Sequence, residues 1–105
     1  MSIKVEMAVT EALRRVIDPE LNLNIVDLGL VRRVDFAEES AAATIGLTLT
    51  SPMCPMGPQI MEAVRTQTLT VPEVRECQVD MVWSPPWDPR TDASEDVRAE
   101  LGIWD

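Results

Sequence analysis

The chain has 105 residues, of which 46% are hydrophobic and 18 are acidic against nine basic, so its formal net charge is −9. This charge repels nucleic-acid phosphates and anionic lipid surfaces, which argues against nucleic acid and membranes as partners. The chain contains no histidine and no tyrosine. One subunit therefore cannot assemble a Ser-His-Asp triad, a Cys-His pair or an imidazole metal site.

The length and the N-terminus predict one cytoplasmic domain spanning residues 1–105. A chain of this size is long enough for a single core and too short for two. It has no apolar run of about 18 residues, and its first residues lack the apolar stretch of a secretion signal. In the cytoplasm thiols stay reduced, so we expect Cys54 and Cys77 to be free.

Residues 5–17 are predicted to form the first helix. Their apolar side chains recur at the i, i+3, i+4 and i+7 spacing of one helical face. Pro19 disfavours helical backbone at the residue before it, so we expect the helix to end by Asp18. A polar loop over residues 18–24 then leads to the next segment.

Two strands are predicted next, over residues 25–36 and 42–50. Both segments are rich in β-branched residues and alternate in character, and the short connection between them suits a hairpin. In the second strand Thr48 and Thr50 point to one face, and the leucines point to the other. We expect the threonine face to be covered only in part.

A second helix is predicted over residues 59–69 and a third strand over residues 74–83. Pro58 suits the first turn of that helix, and Pro72 ends it. Alternation along the strand places Cys77 on its apolar face. We therefore expect Cys77 to pack in the core rather than to bind a metal.

Residues 84–89 are too rich in proline for a helix or a central strand and predict a rigid loop. Trp83 and Trp87 are expected to pack this loop onto the sheet. The alternative is that their indoles form an exposed anchor for a partner protein.

A short helix over residues 92–101 closes the chain, with Asp92 or Ser94 as its N-cap and Gly102 just past its end. The order is then helix, strand, strand, helix, strand, helix. We predict an α+β fold, a two-layer sandwich in which helices lie mainly on one face of a three-stranded mixed sheet.

Cys54 is the strongest candidate for chemistry because of its neighbours. It lies between Pro52 and Pro55, after a predicted strand and just before a predicted helix. Unpaired amides and the positive end of the helix dipole favour the thiolate, the form that attacks electrophiles and binds metals. The alternative interpretation is a buried cysteine that acts as a small hydrophobic residue.

Other side chains near the cysteine have structural interpretations. Asp27 lies among apolar neighbours, so if it faces inward it needs a hydrogen-bond partner, and we expect a structural role in a turn. Met53, Met56 and Met61 suit the wall of a dry pocket, with an adaptable contact surface as the alternative.

An ordered series of motifs runs through the chain: Asp18-Pro19-Glu20, the run 24–31, the run 48–55 with its Cys-Pro, Pro85-Pro86-Trp87, and Leu101-Gly102. In this order and spacing, the series resembles the small iron–sulfur cluster assembly domain family, formerly a domain of unknown function. That family includes SufT-type assembly factors and PaaD-type accessory proteins of phenylacetate degradation. The resemblance covers nearly the whole chain and implies a domain that builds, carries or inserts clusters.

The resemblance also implies a site. Cys54 matches the reactive or ligating thiol, and would be the ligand of a metal or cluster. Asp18, Glu20, Thr48 and Thr50 match positions that the family gathers near that cysteine. For the two carboxylates, the residues alone leave open three roles: oxygen ligands for ferrous iron, orientation of the cysteine loop, or a solvated turn in which a side chain bonds nearby backbone amides.

We predict a non-enzymatic iron–sulfur assembly or transfer factor that acts through Cys54 and contacts carrier or client proteins. Two sulfurs cannot complete a four-thiolate site. We therefore expect either a transient cluster shared between chains, as in a homodimer, or no cofactor. The alternatives are a cysteine-dependent redox or acyl-transfer enzyme, which the lack of histidine disfavours, and a structural adaptor, including a PaaD-like accessory protein.

Overall fold

The computed structural model describes residues 3–50 and 56–102. Within these ranges the helices and strands are, in chain order, α1 (Ile3–Leu13), β1 (Ile17–Asp18), β2 (Leu23–Asn24), α2 (Ile25–Leu28), β3 (Val31–Ala37), β4 (Ala42–Leu47), α3 (Gly57–Thr68), β5 (Glu76–Met81), α4 (Pro89–Asp92) and α5 (Glu95–Glu100). None of the helices in this part of the chain is long and apolar enough to cross a membrane.

A three-stranded mixed sheet organises the fold. β4 lies in the centre, antiparallel to β3 and parallel to β5. α1 packs against β3 and α3, and α3 packs against β5. The two long helices therefore cover the same face of the sheet. The predicted α+β class and the mixed three-stranded sheet are confirmed.

The core lies between this sheet face and the two long helices. β4 contributes Ala43, Ile45 and Leu47 from alternate positions, and α1 contributes Val9 and Leu13; none of these side chains is exposed. Burying one valine, leucine or isoleucine side chain in this way stabilises a fold by about 1.5–3 kcal/mol. The helices are therefore held to the sheet mainly by apolar contact.

The first helix ends at Leu13, so the predicted extension to residue 17 is wrong. The three amides after Leu13 each bond to the carbonyl three residues back, at 3.0 to 3.2 Å, which tightens the last turn. Ile17 then leaves the helical face, is 47% exposed, and pairs with Asn24 in the ladder between β1 and β2. The predicted polar loop therefore contains a short antiparallel pair.

The helical turn α2 stands where a strand was predicted. The Asn24 side chain accepts a hydrogen bond from the Asp27 amide at 2.9 Å, and Gly29 ends the turn with a φ of +81°. Ile25 and Leu28 are both fully buried. Helical spacing brings residues three apart to one face, whereas a strand would turn them to opposite faces.

The predicted strands over residues 42–50 and 74–83 are longer than β4 and β5, while α3 lies within two residues of the predicted helix. Both predictions include residues beyond the last pair of the ladder, where Thr48 and Leu49 are both buried and burial no longer alternates. Thr48, for example, donates its amide to the Leu30 carbonyl at 2.8 Å, outside the β3–β4 pairing. Alternation in the sequence alone therefore overestimates strand length.

The helix predicted over residues 92–101 begins later, as α5 at Glu95, and the separate helical turn α4 precedes it. Ala93 has an extended backbone, with φ −80° and ψ 152°, and separates the two. Ser94 then caps α5, because its hydroxyl oxygen accepts a hydrogen bond from the Val97 amide at 3.2 Å. Gly102 follows α5 with a φ of +74°, as predicted.

The segment after β5 is fastened to the rest of the fold by two side chains. Arg32 lies at a bulge in β3 and donates to two backbone carbonyls of this segment. Trp87 donates its indole N–H to the Leu28 carbonyl at 2.6 Å. Trp87 therefore packs against the fold as predicted, whereas Trp83 is 44% exposed and does not.

We predict that Gly29→Ala lowers the free energy of unfolding by at least about 3 kcal/mol. A Cβ at this position would lie 2.1 Å from the Asp92 carbonyl oxygen, and the left-handed backbone adds strain. Gly102→Ala is the matched control, since Gly102 has a similar φ and open space around it. It should cost only about 1 kcal/mol. Equal losses in urea unfolding would show that α4 does not press on this turn.

Candidate functional site

The end of β4 and the start of α3 flank residues 51–55, the segment that contains Cys54. Cys54 itself lies outside the described residues, and so does Met53. Thr48 is 1% exposed and Thr50 is half-buried. The predicted threonine face is therefore closed at Thr48 and open further along.

The first turn of α3 follows the segment that contains Cys54. The helix begins at Gly57, three residues after Cys54 in the sequence, and Pro58 occupies its first turn. Met56, at the N-cap position, supplies no side-chain hydrogen bond. The amides of this turn are therefore not capped by the residue that usually caps them.

Leu49 positions this helix start. Its Cδ1 atom lies 3.0 Å from the place where a Cβ on Gly57 would be. A Cβ at Gly57 would therefore crowd this leucine, and the end of the Leu49 side chain would have to shift to make room. The strand end and the helix start are thus held together on both sides of the cysteine segment.

Asp18 is fully buried, so the predicted turn is not solvated at Asp18, but its side chain does bond nearby backbone amides as that interpretation expected. One carboxylate oxygen, Oδ1, accepts hydrogen bonds from the Glu20 amide at 2.7 Å and the Leu21 amide at 3.3 Å. The other, Oδ2, is buried without a hydrogen-bond partner among the described residues. A buried oxygen of this kind is uncommon and marks a place where a further donor or cation would fit.

Glu20 differs from Asp18 in its surroundings. Its side chain is exposed, although it takes part in an interaction. The two carboxylates are therefore not an equivalent pair of oxygen ligands. Within the described residues, no three cysteine or carboxylate side chains converge to hold a metal ion.

Asp27 has the hydrogen-bond partners that its apolar neighbourhood required. Its carboxylate accepts from the Asn24 side chain at 2.8 Å and from the Arg14 guanidinium at 2.5 Å. These two contacts, the Asn24 amide first, lower the pKa of Asp27 below its usual value. Asp27 is thus structural, as predicted, and joins α2 to the end of α1.

Cys77 packs against the core, as predicted, but its thiol is only half-buried. It lies on β5 facing α3, beside the Thr68 hydroxyl. Burial raises the pKa of this thiol, and the contact with Thr68 and the charge of Arg65 offset that rise only in part. Cys77 is therefore a poor nucleophile at neutral pH.

Sequence reasoning missed Thr68. This residue is fully buried, and apart from its position beside Cys77 its hydroxyl finds no conventional partner in the described part of the chain. Its signal was its place on the apolar face of the predicted helix.

We predict that the stabilisation contributed by the Asp27 carboxylate is lost in acid. Its pKa is lower in the folded state than in the unfolded chain, so the contribution is complete above the unfolded value and disappears as the pH falls through the folded one. In urea unfolding, the wild type should have a higher free energy of unfolding than Asp27→Asn at about pH 6, and this difference should disappear towards about pH 2. A difference independent of pH would contradict the charge-based explanation.

Comparison with known proteins agrees with this architecture. The sequence profile of the family described as "Iron-sulfur cluster assembly protein" matches residues 6–81. The Fe-S protein maturation auxiliary factor SufT of Staphylococcus aureus is 51% identical over 72 residues, covering 69% of this chain and 81% of that protein. The corresponding factor YitW of Bacillus subtilis is 44% identical over 92 residues, covering 88% of each chain.

A larger protein contains a similar segment. An iron-sulfur cluster carrier protein of Deinococcus radiodurans is 38% identical over 73 residues, which cover 70% of this chain and 20% of the carrier. Among solved structures, the domain of unknown function DUF59 from Bacillus anthracis superposes with a TM-score of 0.88 and 41% identity, covering 97% of this chain and 95% of that one. The resemblance seen in the motifs is confirmed: the chain belongs to the iron–sulfur cluster assembly protein family.

Proposed function

We propose that this protein assembles or transfers iron–sulfur clusters through the thiol of Cys54. The observation that carries the proposal is the start of α3 three residues after Cys54, with a first turn that Met56 does not cap. A thiol at such a position is favoured as the thiolate, which binds iron and accepts transferred groups. The names of the relatives in Staphylococcus aureus and Bacillus subtilis support the same role.

The supporting residues contribute in different ways. The Asp18 oxygen that has no hydrogen-bond partner among the described residues is available to a donor or to iron, and the other Asp18 oxygen fixes the turn. Thr48 and Thr50 bring the chain from β4 into the cysteine segment. Glu20 supplies negative charge at the same turn. These roles are our proposal for the site, and Asp18 has the strongest support because of its burial.

We further propose that the protein is a factor rather than an enzyme and works as one cytoplasmic domain. The relatives are named as maturation factors and carriers. The lack of histidine leaves Cys54 without the usual general base. A reducing compartment also suits the free thiol of Cys77.

The partners we propose are iron–sulfur carrier and client proteins. The Deinococcus radiodurans carrier supports this, because a segment similar to this chain is part of the same polypeptide as the rest of the carrier. The net charge of −9 disfavours nucleic acid and membrane surfaces. A cluster bound by this chain would be transient and shared with a partner or a second copy, because one chain offers two sulfurs.

We expect an alkylating reagent to modify Cys54 well before Cys77 in the native protein. The Cys54 rate should rise with a midpoint below the ordinary thiol value of about 8.5, whereas burial moves the Cys77 midpoint upward. Peptide mass spectrometry after timed labelling at several pH values separates the two sites. Equal rates, or reaction only after denaturation, would contradict a poised thiolate at Cys54.

Anaerobic reconstitution with iron and sulfide tests the cluster itself. Iron should elute from size-exclusion chromatography with a dimer or a client complex, because a monomer cannot complete the ligand set. Cys54→Ser should remove the iron from that peak. Cys77→Ser is the matched control and should retain the iron. Stoichiometric iron on a monomer, unchanged in Cys54→Ser, would place the site elsewhere.

A further inference from the structure

The outer edge of β5 is unpaired in the described part of the chain, because β5 is the last strand of the sheet and pairs only with β4. The amides of Glu76 and Val82 donate towards β4, at 3.3 and 2.8 Å. In a parallel strand, alternate residues direct their N–H and C=O groups to opposite sides. The backbone groups of Cys77, Val79 and Met81 therefore face outward and are open to another strand.

A groove runs between this edge and α3. Its volume is about 580 Å³. The residues that line it are Pro58, Met61, Glu62, Arg65, Cys77, Gln78 and Val79. Met61 and Val79 give it an apolar part, so a side chain entering from an added strand would be removed from water there. Backbone groups at the edge and an apolar pocket beside them are the two elements of strand addition.

Basic residues mark the other end of the groove. Arg65 and Arg75 both line an adjoining cavity of about 350 Å³, together with the exposed Glu76. Neither arginine forms an ion pair with any residue in the described ranges. Glu62 balances Arg65 within the groove, but in the adjoining cavity the two arginines outnumber the one carboxylate. In a chain of net charge −9, this local positive charge favours a carboxylate on the part of the incoming segment that lies there.

We propose that the β5 edge binds an extended segment of an iron–sulfur carrier protein, which adds to the sheet as a fourth strand. The segment would place an apolar side chain beside Met61 and Val79 and an acidic one beside Arg65 and Arg75. This inference rests on the proposed function, since it identifies how the partner of the Cys54 site is held.

The position of the groove explains why a carrier would use it. Pro58 and Met61 lie in the first turns of α3, which starts just after the segment that contains Cys54. A strand bound at the edge is thus held at the entrance to the proposed thiol site. A second copy fits less well, because two chains of net charge −9 repel each other.

Two variants test the groove. Val79→Pro removes an outward-facing amide and blocks strand addition, at a position where an edge strand tolerates proline. Arg65→Glu reverses the charge at the place where the acidic side chain of the bound segment would lie, and it leaves the backbone of β5 unchanged. Arg15→Glu is the control, since it makes the same charge change in an exposed turn that lines neither cavity. Circular dichroism establishes that each variant is folded.

The probe is the intact holo iron–sulfur carrier protein of the host. Residue-resolved amide exchange by NMR should show fast exchange at Cys77, Val79 and Met81 in the free protein and on the order of tenfold slower exchange in the complex. Val79→Pro and Arg65→Glu should each weaken carrier binding by at least about tenfold, and Arg15→Glu should not. Unchanged exchange at the three amides would overturn the proposal.

The activity of a client iron–sulfur dehydratase in cells lacking the gene separates this inference from the proposed function. If both groove variants restore client activity as the wild type does and Cys54→Ser does not, the proposal that the groove binds the carrier is wrong and the proposed role of Cys54 stands. If Cys54→Ser also restores it, the proposed function itself fails. A dimer of the free protein that Val79→Pro dissociates would assign the edge to a second copy and overturn the carrier assignment.

Discussion

The turn from Asn24 to Leu30 is the constraint on which the other parts of the fold depend. Its helical part exists because Asn24 caps it and because Gly29 accepts a left-handed backbone. The Leu30 carbonyl then accepts the Thr48 amide, which ties the end of β4 to this turn. From the other side, the Asp27 carbonyl accepts the Ser94 amide at 2.7 Å. One turn thus links the sheet, the end of β4 and the C-terminal helices.

This arrangement has consequences for the site. The segment with Cys54 begins three residues after Thr48, whose amide is bonded to the turn, and it is followed by α3, whose first residue lies close to Leu49. The described residues on either side of the segment are therefore positioned by packing and hydrogen bonds.

The two cysteines adjoin different elements of the fold in the sequence, and the roles proposed for them differ. Cys77 is flanked by α3, so burial holds its pKa above the usual value and keeps it protonated. Cys54 precedes a helix whose N-cap residue provides no side-chain bond. The first environment preserves a thiol, and the second is the kind that favours a thiolate. The half-exposed Cys77 belongs instead to the groove along β5.

The sequence by itself determined the elements whose signal is local and repeated. The apolar spacing up to Leu13 predicted a helix and the alternation in β4 predicted a strand where the structure has them, and the ordered motifs predicted the family. Tertiary structure decided the rest. Residues 25–28 carry a sequence pattern that fits a strand, but they form a helical turn. Asn24 caps the start of this turn, Gly29 ends it, and the burial of Leu28 stabilises it, and together these outweigh the strand preference.

The same holds for the candidate site and its surroundings. The residue types Asp18, Glu20 and Cys54 could be selected from the motifs, because their chemistry is visible in the sequence. The burial of Asp18 and the exposure of Glu20 could not be predicted from the sequence. Two carboxylates in one turn differ only through the residues that pack against them. The groove beside Cys77 arises from the pairing of α3 with an edge strand, and edge position is a property of sheet order, which only the tertiary structure decides.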